Sequence, residues 1–480
     1  MKKILLTRDE EPIIALCTPR GSGAIAVIRI SGSRASGSRT IGSGVSKIVD
    51  KISKLSSGKK LQELSSHTIH HGHIVNPTSS EIVDEVLFFL MNGPKTFTGQ
   101  DTIEISCHNN HFIIEEIITH AISCGARLAK PGEFTKRAFL NKKVDLVQAE
   151  AIHDVITAQT ELALRKSMAQ LHGSFSEYIS KIEQSLLEIL TFAEASFEFL
   201  DEEQRDLDFD KNVKNKFVSL QKKLVIAKQN FNQQQRIKEG VRVAIIGSVN
   251  VGKSTLFNAL LKKNRAIVTD IAGTTRDSIE ASLYKDGNFW LLIDTAGLRQ
   301  TGDVIEKEGI ERSLREAEQA DIILLVCDPQ TIEFDQQMHL YKDIFEKYQK
   351  KVIVVLNKID ESSDKKAERI IKDSFKDTVI LVSAKNKTGI EEVEKQIQDK
   401  IQEIFKQLRS PFLLNQRQFH LVSELEIKMK AVEKESSSTV HYELVAHHVR
   451  DMLEHLSELT GKDVSEQVLD NVFSKFCIGK

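Results

Sequence analysis

The chain has 480 residues, 40% hydrophobic and 28% charged, an ordinary globular composition long enough for roughly three domains. Its formal charge of −2 excludes a global basic field for nucleic acid, so any RNA contact must come from a local patch or a partner. Five cysteines, none in a CxxC pair, argue against a disulfide framework or a cysteine-based zinc site, and no apolar run approaches the ~18 residues of a membrane span.

The opening "MKKILLTRDEEP" has too short an apolar core for a secretory signal, so a cytoplasmic location is expected. From Glu11 to about Lys130, short apolar runs such as "IIALCTP", "AIAVIRISG", "VDEVLFFLM" and "DTIEISCH" predict strands joined by Gly- and Pro-rich turns. "HFIIEEIITHAISCG" has helical spacing and a glycine stop. Residues 1–130 therefore read as an α+β domain, with Ser31–Ser46 a loosely packed loop or helix edge. "HTIHHGHI" (His67–Ile74) is expected at a strand edge rather than at a metal, because no carboxylate or cysteine completes a ligand pattern.

From Pro131 the character changes to long amphipathic helices, as in "SEYISKIEQSLLEILTFAEASFEFL". Residues 240–407 alternate strand and helix, the pattern of an α/β module with a mostly parallel sheet. After Pro411 the chain is helical again. Val445, Val449, Met452, Leu456 and Leu459 form one apolar face, and Asp463 and Glu466 stand in capping-box spacing. His447 and His448 are neighbours on this helix and are expected at its surface. Neither helical tract ends with an obvious partner for its apolar face. The architecture expected is thus multidomain α/β and α, with the α/β module inserted in a discontinuous helical domain of residues 131–239 and 408–480.

The module carries its chemistry in five strings. "GSVNVGKS" (Gly247–Ser254) lies between the strand "VRVAII" and the helix "TLFNALL", the context a phosphate loop requires. Asn250, Val251, Gly252, Lys253, Ser254 and Thr255 would wrap the phosphates; Lys253 would reach the terminal ones and the Ser254 hydroxyl would bind magnesium. "GTTRD" supplies Thr275 as a second magnesium ligand, with Asp270, Ala272 and Gly273 in the same nucleotide-binding stretch. "DTAG" (Asp294, Thr295, Ala296, Gly297) would sense the γ-phosphate. In "NKID", Asn357 and Lys358 precede Asp360, whose carboxylate matches the N1–H and 2-amino donors of guanine and would be left unpaired by adenine. "SAK" (Ser383, Ala384, Lys385) would complete the base pocket. Together, in this order, these strings resemble small Ras-like P-loop GTPases. One departure is that Leu298 follows "DTAG", where Ras-like enzymes place a glutamine that orients water.

Longer strings extend the resemblance over nearly the whole chain: "TPRGSGAIAVIRISG", "PKTFTGQDTIEI", "KPGEFTKRAFLN", "DLVQAEAI", "VTDIAGTTRD", "DTAGLR", "GIERS" and "FCIGK". With them the chain resembles the MnmE/TrmE family of tRNA-modification GTPases. That resemblance implies a potassium ion held by Asn250, Thr269, Ile271 and Thr274, standing where an arginine finger would lie, and Glu306 as the residue that orients water indirectly. It implies an N-terminal tetrahydrofolate-binding and dimerisation domain, with Arg29, Glu104, Lys143 and Lys480 as ligands of a 5-formyl or 5,10-methylene derivative. It also implies modification of the tRNA wobble uridine at C5, by a homodimer working with an FAD-dependent partner protein in a heterotetramer, tRNA being contacted jointly and no membrane being involved. The family pattern "CHGG" stands here as "CHNN" (Cys107–Asn110), which puts a turn beside the folate pocket in question.

The "FCIGK" ending has three readings. A prenylation box is disfavoured by the terminal Lys480 and by Gly479. An inert buried thiol competes with the role the resemblance implies for Cys477, in the modification chemistry. The rival function is a GTP-controlled ribosome-assembly or binding factor, which would more often carry a KH domain or a basic tail. A membrane remodeller is a weaker third, because no membrane-binding segment stands out.

Overall fold

The computed structural model describes residues 11–21, 23–33, 44–197, 207–229, 231–263, 279–294, 314–328, 334–361, 365–375, 379–406, 410–435 and 442–479. They form two units: Met1–His153 with Gln170–Ala195 and Ala446–Lys480, and Asp154–Ala169 with Ser196–Val445. The helical tracts contribute to both.

The first unit is built on a seven-stranded sheet in the order β3-β4-β5-β6-β2-β1-β7. The strands are β1 (Ile13–Leu16), β2 (Ile25–Gly32), β3 (Ser53–Leu55), β4 (Thr68–Val75), β5 (Ile82–Met91), β6 (Asp101–His108) and β7 (Arg127–Leu128). All pairings are antiparallel except β1 with β7. Alternation decides the faces. Val86, Phe88 and Leu90 of β5 join Ile28, Ile30, Ile103 and Ile105 under the helices Gly44–Lys51 and His111–Ser123. Their neighbours point the other way, where Ile13 and Ala15 meet Ala129 and Phe134.

Three local expectations are corrected. Ser31 and Gly32 complete β2, and Val45 and Ser46 are buried on a helix, so only the middle of the Ser31–Ser46 stretch remains outside the described residues. "HTIHHGHI" is at an edge only in its first half: β4 pairs with β5 along its length and also with β3 at Gly72–Ile74. His71 there donates from Nε2 to the Glu85 carboxylate at 2.7 Å, and its Nδ1 lies 2.7 Å from the Ser56 hydroxyl. The last helix, Glu466–Phe473, is capped by Ser465 rather than Asp463, the Ser465 hydroxyl accepting from the Val468 N–H. That helix also stops at Phe473, so Cys477 lies beyond its end. Among the described residues no group of three or more His, Cys, Asp or Glu is placed to hold a metal, and no helix is long and apolar enough to cross a membrane.

In the second unit a six-stranded sheet has the order β13-β12-β11-β8-β10-β9. Its strands are β8 (Val241–Ile246), β9 (Ile279–Lys285), β10 (Asn288–Asp294), β11 (Ile322–Cys327), β12 (Val352–Leu356) and β13 (Val379–Leu381). Only β9–β10 is antiparallel. Every residue of β11 and β12 is buried, as continuous apolar runs demand when helices cover both faces. Helices Lys253–Lys263 and Ile390–Lys406 pack on one face, and Phe334–Tyr348 and Lys365–Ser374 on the other. Parallel order aligns the carboxyl ends of β8, β11, β12 and β13, where ligands bind such sheets. Within this unit the helix Leu207–Lys228, which precedes the α/β module, packs on Gln416–Glu435, which follows it. Lys228 pairs there with the buried Glu426, and Phe231 stacks on Phe419 with centroids 3.9 Å apart.

Candidate functional site

The phosphate loop leaves β8 at Gly247 and enters its helix at Lys253. Asn250 has φ 63° and Gly252 φ 94°, left-handed positions that an asparagine tolerates and a glycine adopts freely. A Cβ at Gly252 would also stand 2.2 Å from the Asn357 amide nitrogen, so only glycine fits there. Lys253 is 7% exposed, and its ammonium donates to the carbonyls of Gly247 at 2.8 Å and Ser248 at 2.7 Å. It thus spans the loop from inside. Ser254 and Thr255 are exposed in the first turn of the helix, where backbone N–H groups and the helix dipole favour an anion.

Asn357 ties the phosphate loop to the base motifs. Its side chain donates to the Val251 carbonyl at 2.8 Å and accepts from the Ala384 N–H at 3.0 Å, with only 2% of the residue exposed. Lys358 takes φ 61° and pairs with Asp328 at 2.7 Å. The Asp360 carboxyl is held below the usual carboxylate range, first by a hydrogen bond from Ser383 and further by its own backbone amide and the Lys385 charge, against a smaller desolvation effect. It is therefore ionised and ready to accept two donors. Lys385 is exposed and lies 3.3 Å from Glu361. The three strings "GSVNVGKS", "NKID" and "SAK" thus meet in one place. Asp294 ends β10 on the strand beside β8. Thr269, Asp270, Ile271, Ala272, Gly273, Thr274, Thr275, Thr295, Ala296, Gly297 and Glu306 lie outside the described residues.

Sequence reasoning missed two residues at this site. Asp328 follows the apolar run of β11 and carries no motif signal beyond that position. Tyr341 sits on the helix Phe334–Tyr348, and its phenol oxygen lies 2.8 Å from the Ser248 nitrogen and 2.7 Å from its hydroxyl. No spacing rule marks it.

The first unit brings together the residues expected to hold folate. Arg29 and Glu104 are direct cross-strand partners on β2 and β6, joined at 2.8 Å. Arg29 also pairs in register with Ala15, so this ion pair shares a face with Phe134. The guanidinium carbon lies 5.4 Å from the Phe97 ring centre and 5.5 Å from that of Phe134, within cation–π range. Lys143 donates to the Pro94 carbonyl at 3.0 Å, which sets it against the loop that carries Phe97. Neither aromatic was singled out from the sequence, although both sit inside the strings "PKTFTGQDTIEI" and "KPGEFTKRAFLN". Beneath Phe134, Glu133 is 5% exposed and Arg137 1% exposed, 3.0 Å apart. Burial works to raise the Glu133 pKa, but hydrogen bonds from Arg127 and the Lys130 N–H and the charges of Arg137 and Arg127 outweigh it and hold it at about 2.

"CHNN" needs no glycine. Neither Asn109 nor Asn110 has a positive φ; the Asn109 side chain donates to the Gly21 carbonyl at 3.0 Å, and Asn110 caps the helix His111–Ser123. The tail is anchored as well. Phe476 is buried against Phe473 and His153, and the Gly132 N–H donates to the Cys477 carbonyl at 3.4 Å. Gly479 has φ 99° and lies so close to β1 that a Cβ would stand 2.2 Å from the Leu16 carbonyl oxygen. The Cys477 side chain is exposed, which removes the inert buried thiol as a reading; Lys480 is outside the described residues.

Comparison with known proteins covers the whole chain. The MnmE helical domain family matches residues 146–477, and the family described as GTP-binding protein TrmE N-terminus matches residues 12–143. The tRNA modification GTPase MnmE of Geobacillus thermodenitrificans is 37% identical over 476 residues, 98% of this chain and 99% of that protein. Those of Aquifex aeolicus and Cytophaga hutchinsonii are 36% and 37% identical, covering 98% and 100% of this chain and 100% of each relative. A crystal structure of Aquifex aeolicus Era bound to GDP and AlF4− is 30% identical over 34% of this chain and 57% of that one, with a TM-score of 0.27. With identity sustained from end to end and the guanine and phosphate motifs converging at one sheet edge, the chain belongs to the MnmE/TrmE family of tRNA modification GTPases.

Proposed function

We propose that this GTPase acts in the modification of tRNA wobble uridine at C5, adding an aminomethyl or carboxymethylaminomethyl group with a tetrahydrofolate one-carbon unit and an FAD-dependent partner protein. The observation that carries this reading is the seating of the "FCIGK" tail on β1, in register beside the strand that presents Arg29. A carboxylate suits the donor edge of a pterin and a guanidinium suits anionic folate groups, and the two aromatic rings flanking Arg29 suit a flat ring system. Arg29, Glu104, Lys143 and Lys480 are the proposed folate ligands, with 5-formyl- or 5,10-methylene-tetrahydrofolate as the ligand. Cys477, exposed and tethered through its backbone, is the proposed participant in the modification chemistry.

GTP hydrolysis drives conformational cycling in this reading. Lys253 and the amides of Asn250–Thr255 hold the phosphates, and Ser254 and Thr275 hold magnesium, which neutralises phosphate charge when bound. The glycine-only cradle at Gly252 fits a phosphate chain. Asp360, Lys358 and the Ser383–Lys385 turn hold guanine. Asn250, with Thr269, Ile271 and Thr274, holds potassium in place of an arginine finger, and Glu306 orients water where Leu298 cannot.

Two further elements belong to the proposal. The chain works as a homodimer through its N-terminal domain, supported by exposed Ile69 and Leu87 on the sheet face away from the helices. Residues 240–407 are an insertion between the helical segments 131–239 and 408–480, supported by the packing of Leu207–Lys228 on Gln416–Glu435. The test is mass analysis of tRNA nucleosides after depletion of this protein. Loss of the C5-modified wobble uridines is expected; unchanged uridines would favour the rival ribosome-assembly reading.

A further inference from the structure

Beyond the sequence motifs, a buried tyrosine meets the root of the phosphate loop. We propose that Tyr341 is a positioning residue of the GTPase site, holding Ser248 so that the Ser248 carbonyl keeps Lys253 aimed at the nucleotide phosphates. This deepens, and rests on, the reading of Gly247–Ser254 as the phosphate loop.

The geometry is specific. The Ser248 N–H donates to the Tyr341 phenol oxygen at 2.8 Å. The phenol and the Ser248 hydroxyl are 2.7 Å apart, so one residue is gripped at backbone and side chain at once. The carbonyl of that same residue accepts from the Lys253 ammonium at 2.7 Å. A chain of hydrogen bonds therefore runs from a helix to the lysine that meets the phosphates. Tyr341 is 3% exposed, and burial above all pushes its phenol up to about 12, so it keeps its proton and remains a donor at any working pH. It belongs to the buried cluster that holds Ala244, Ile246 and Ile344, which keeps the phenol in a packed setting.

The helix that bears Tyr341 is tied to the site a second time. It follows β11, whose Val326 carbonyl lies so close to Gly247 that a Cβ there would stand at 2.4 Å. Asp328, directly after the same strand, pairs with Lys358 of the guanine motif. The segment after β11 thus holds both the phosphate end and the base end of the site. A buried tyrosine that merely satisfied its hydroxyl would need one acceptor; this one closes two bonds on a single loop residue.

The test uses the full chain. Tyr341→Phe keeps the ring and deletes both hydrogen bonds. Release of a fluorescent methylanthraniloyl-GDP and the KM for GTP are expected to rise together by about fivefold to tenfold, with kcat within about twofold. Ser248→Ala, which keeps the N–H, is expected to give a smaller rise, and the double variant no more than Tyr341→Phe alone. Thermal unfolding followed at Trp290, the single tryptophan, monitors the fold. Unchanged release and KM in Tyr341→Phe, whatever its melting temperature, or a fall in kcat with KM unchanged, would overturn the role. Lys253→Ala separates the layers. If it still binds methylanthraniloyl-GDP, the phosphate-loop reading fails with the proposal; if it does not, a wild-type-like Tyr341→Phe overturns Tyr341 alone.

Discussion

The Cys17 thiol donates to the Gly479 carbonyl at 3.2 Å, joining residues 462 positions apart. Cys17 follows β1, and its own N–H bonds to the Val27 carbonyl at 2.8 Å, so the tail is held by a residue already fixed in the sheet. Gly479 makes the approach possible because it has no Cβ to strike Leu16 and takes φ 99° without strain.

Gly479→Ala is expected to expel the tail from β1. The left-handed conformation alone costs a non-glycine residue about 1–2 kcal/mol, and the clash adds to it. The expected outcome is at least a tenfold drop in wobble-uridine modification, with GTP turnover by the isolated chain within about twofold of wild type. Nucleoside analysis beside a phosphate-release assay checks both halves; a modification yield that does not move would remove the tail from the chemistry.

Asp360→Asn is expected to weaken GTP binding on the order of a hundredfold, because a carboxylate accepting two donors becomes an amide that accepts one. Xanthine carries a carbonyl where guanine carries the 2-amino group, so XTP should recover the loss. Turnover measured with both nucleotides checks this, and an equal loss for GTP and XTP would contradict the base-pocket assignment of Asp360.

Potassium is expected to raise GTP turnover several-fold over sodium at equal ionic strength, through charge stabilisation beside the β- and γ-phosphates. Asn250→Gly is the informative variant. Glycine adopts φ 63° as readily as asparagine does, so the loop keeps its path while the amide ligand disappears. The salt response should vanish in this variant; turnover alike in the two salts for wild type would remove the cation altogether.

Glu133 links stability to pH. Its carboxyl is held at about 2 in the folded chain, against an ordinary 4.5. A depressed folded pKa contributes stability that is full above the unfolded value and is lost as pH falls through the folded one. The first unit should therefore lose stability between about pH 5 and pH 2. Glu133→Gln should remove most of that dependence and cost about 3 kcal/mol at neutral pH, because it takes the Glu133 charge away from the buried Arg137 guanidinium. Thermal unfolding by circular dichroism across this range, for both chains, measures it.

Much of this was legible beforehand. Short apolar runs between turn residues marked β5 and β6, alternation of strand and helix marked the sheet of the second unit, and glycine with lysine-serine marked the phosphate loop between a strand and a helix. Misreadings arose where long-range pairing outweighs local pattern. The histidine-rich β4 reads as an alternating edge strand, yet the short β3 covers its far side at Gly72–Ile74. Asp463 has the right spacing for a cap, but the turn after Gly461 puts Ser465 at the first free amides instead.

By itself the sequence determined what consecutive residues carry: the phosphate loop, the guanine carboxylate and the amphipathic helical faces, each set by backbone periodicity and local torsions. Tertiary structure alone decided the pairings with no shared period. Arg29 against Glu104, Tyr341 against Ser248 and Cys17 against Gly479 depend on strand register and on which helix covers which sheet face. Those are fixed by burial of the whole apolar surface, a sum over the chain that no local window contains.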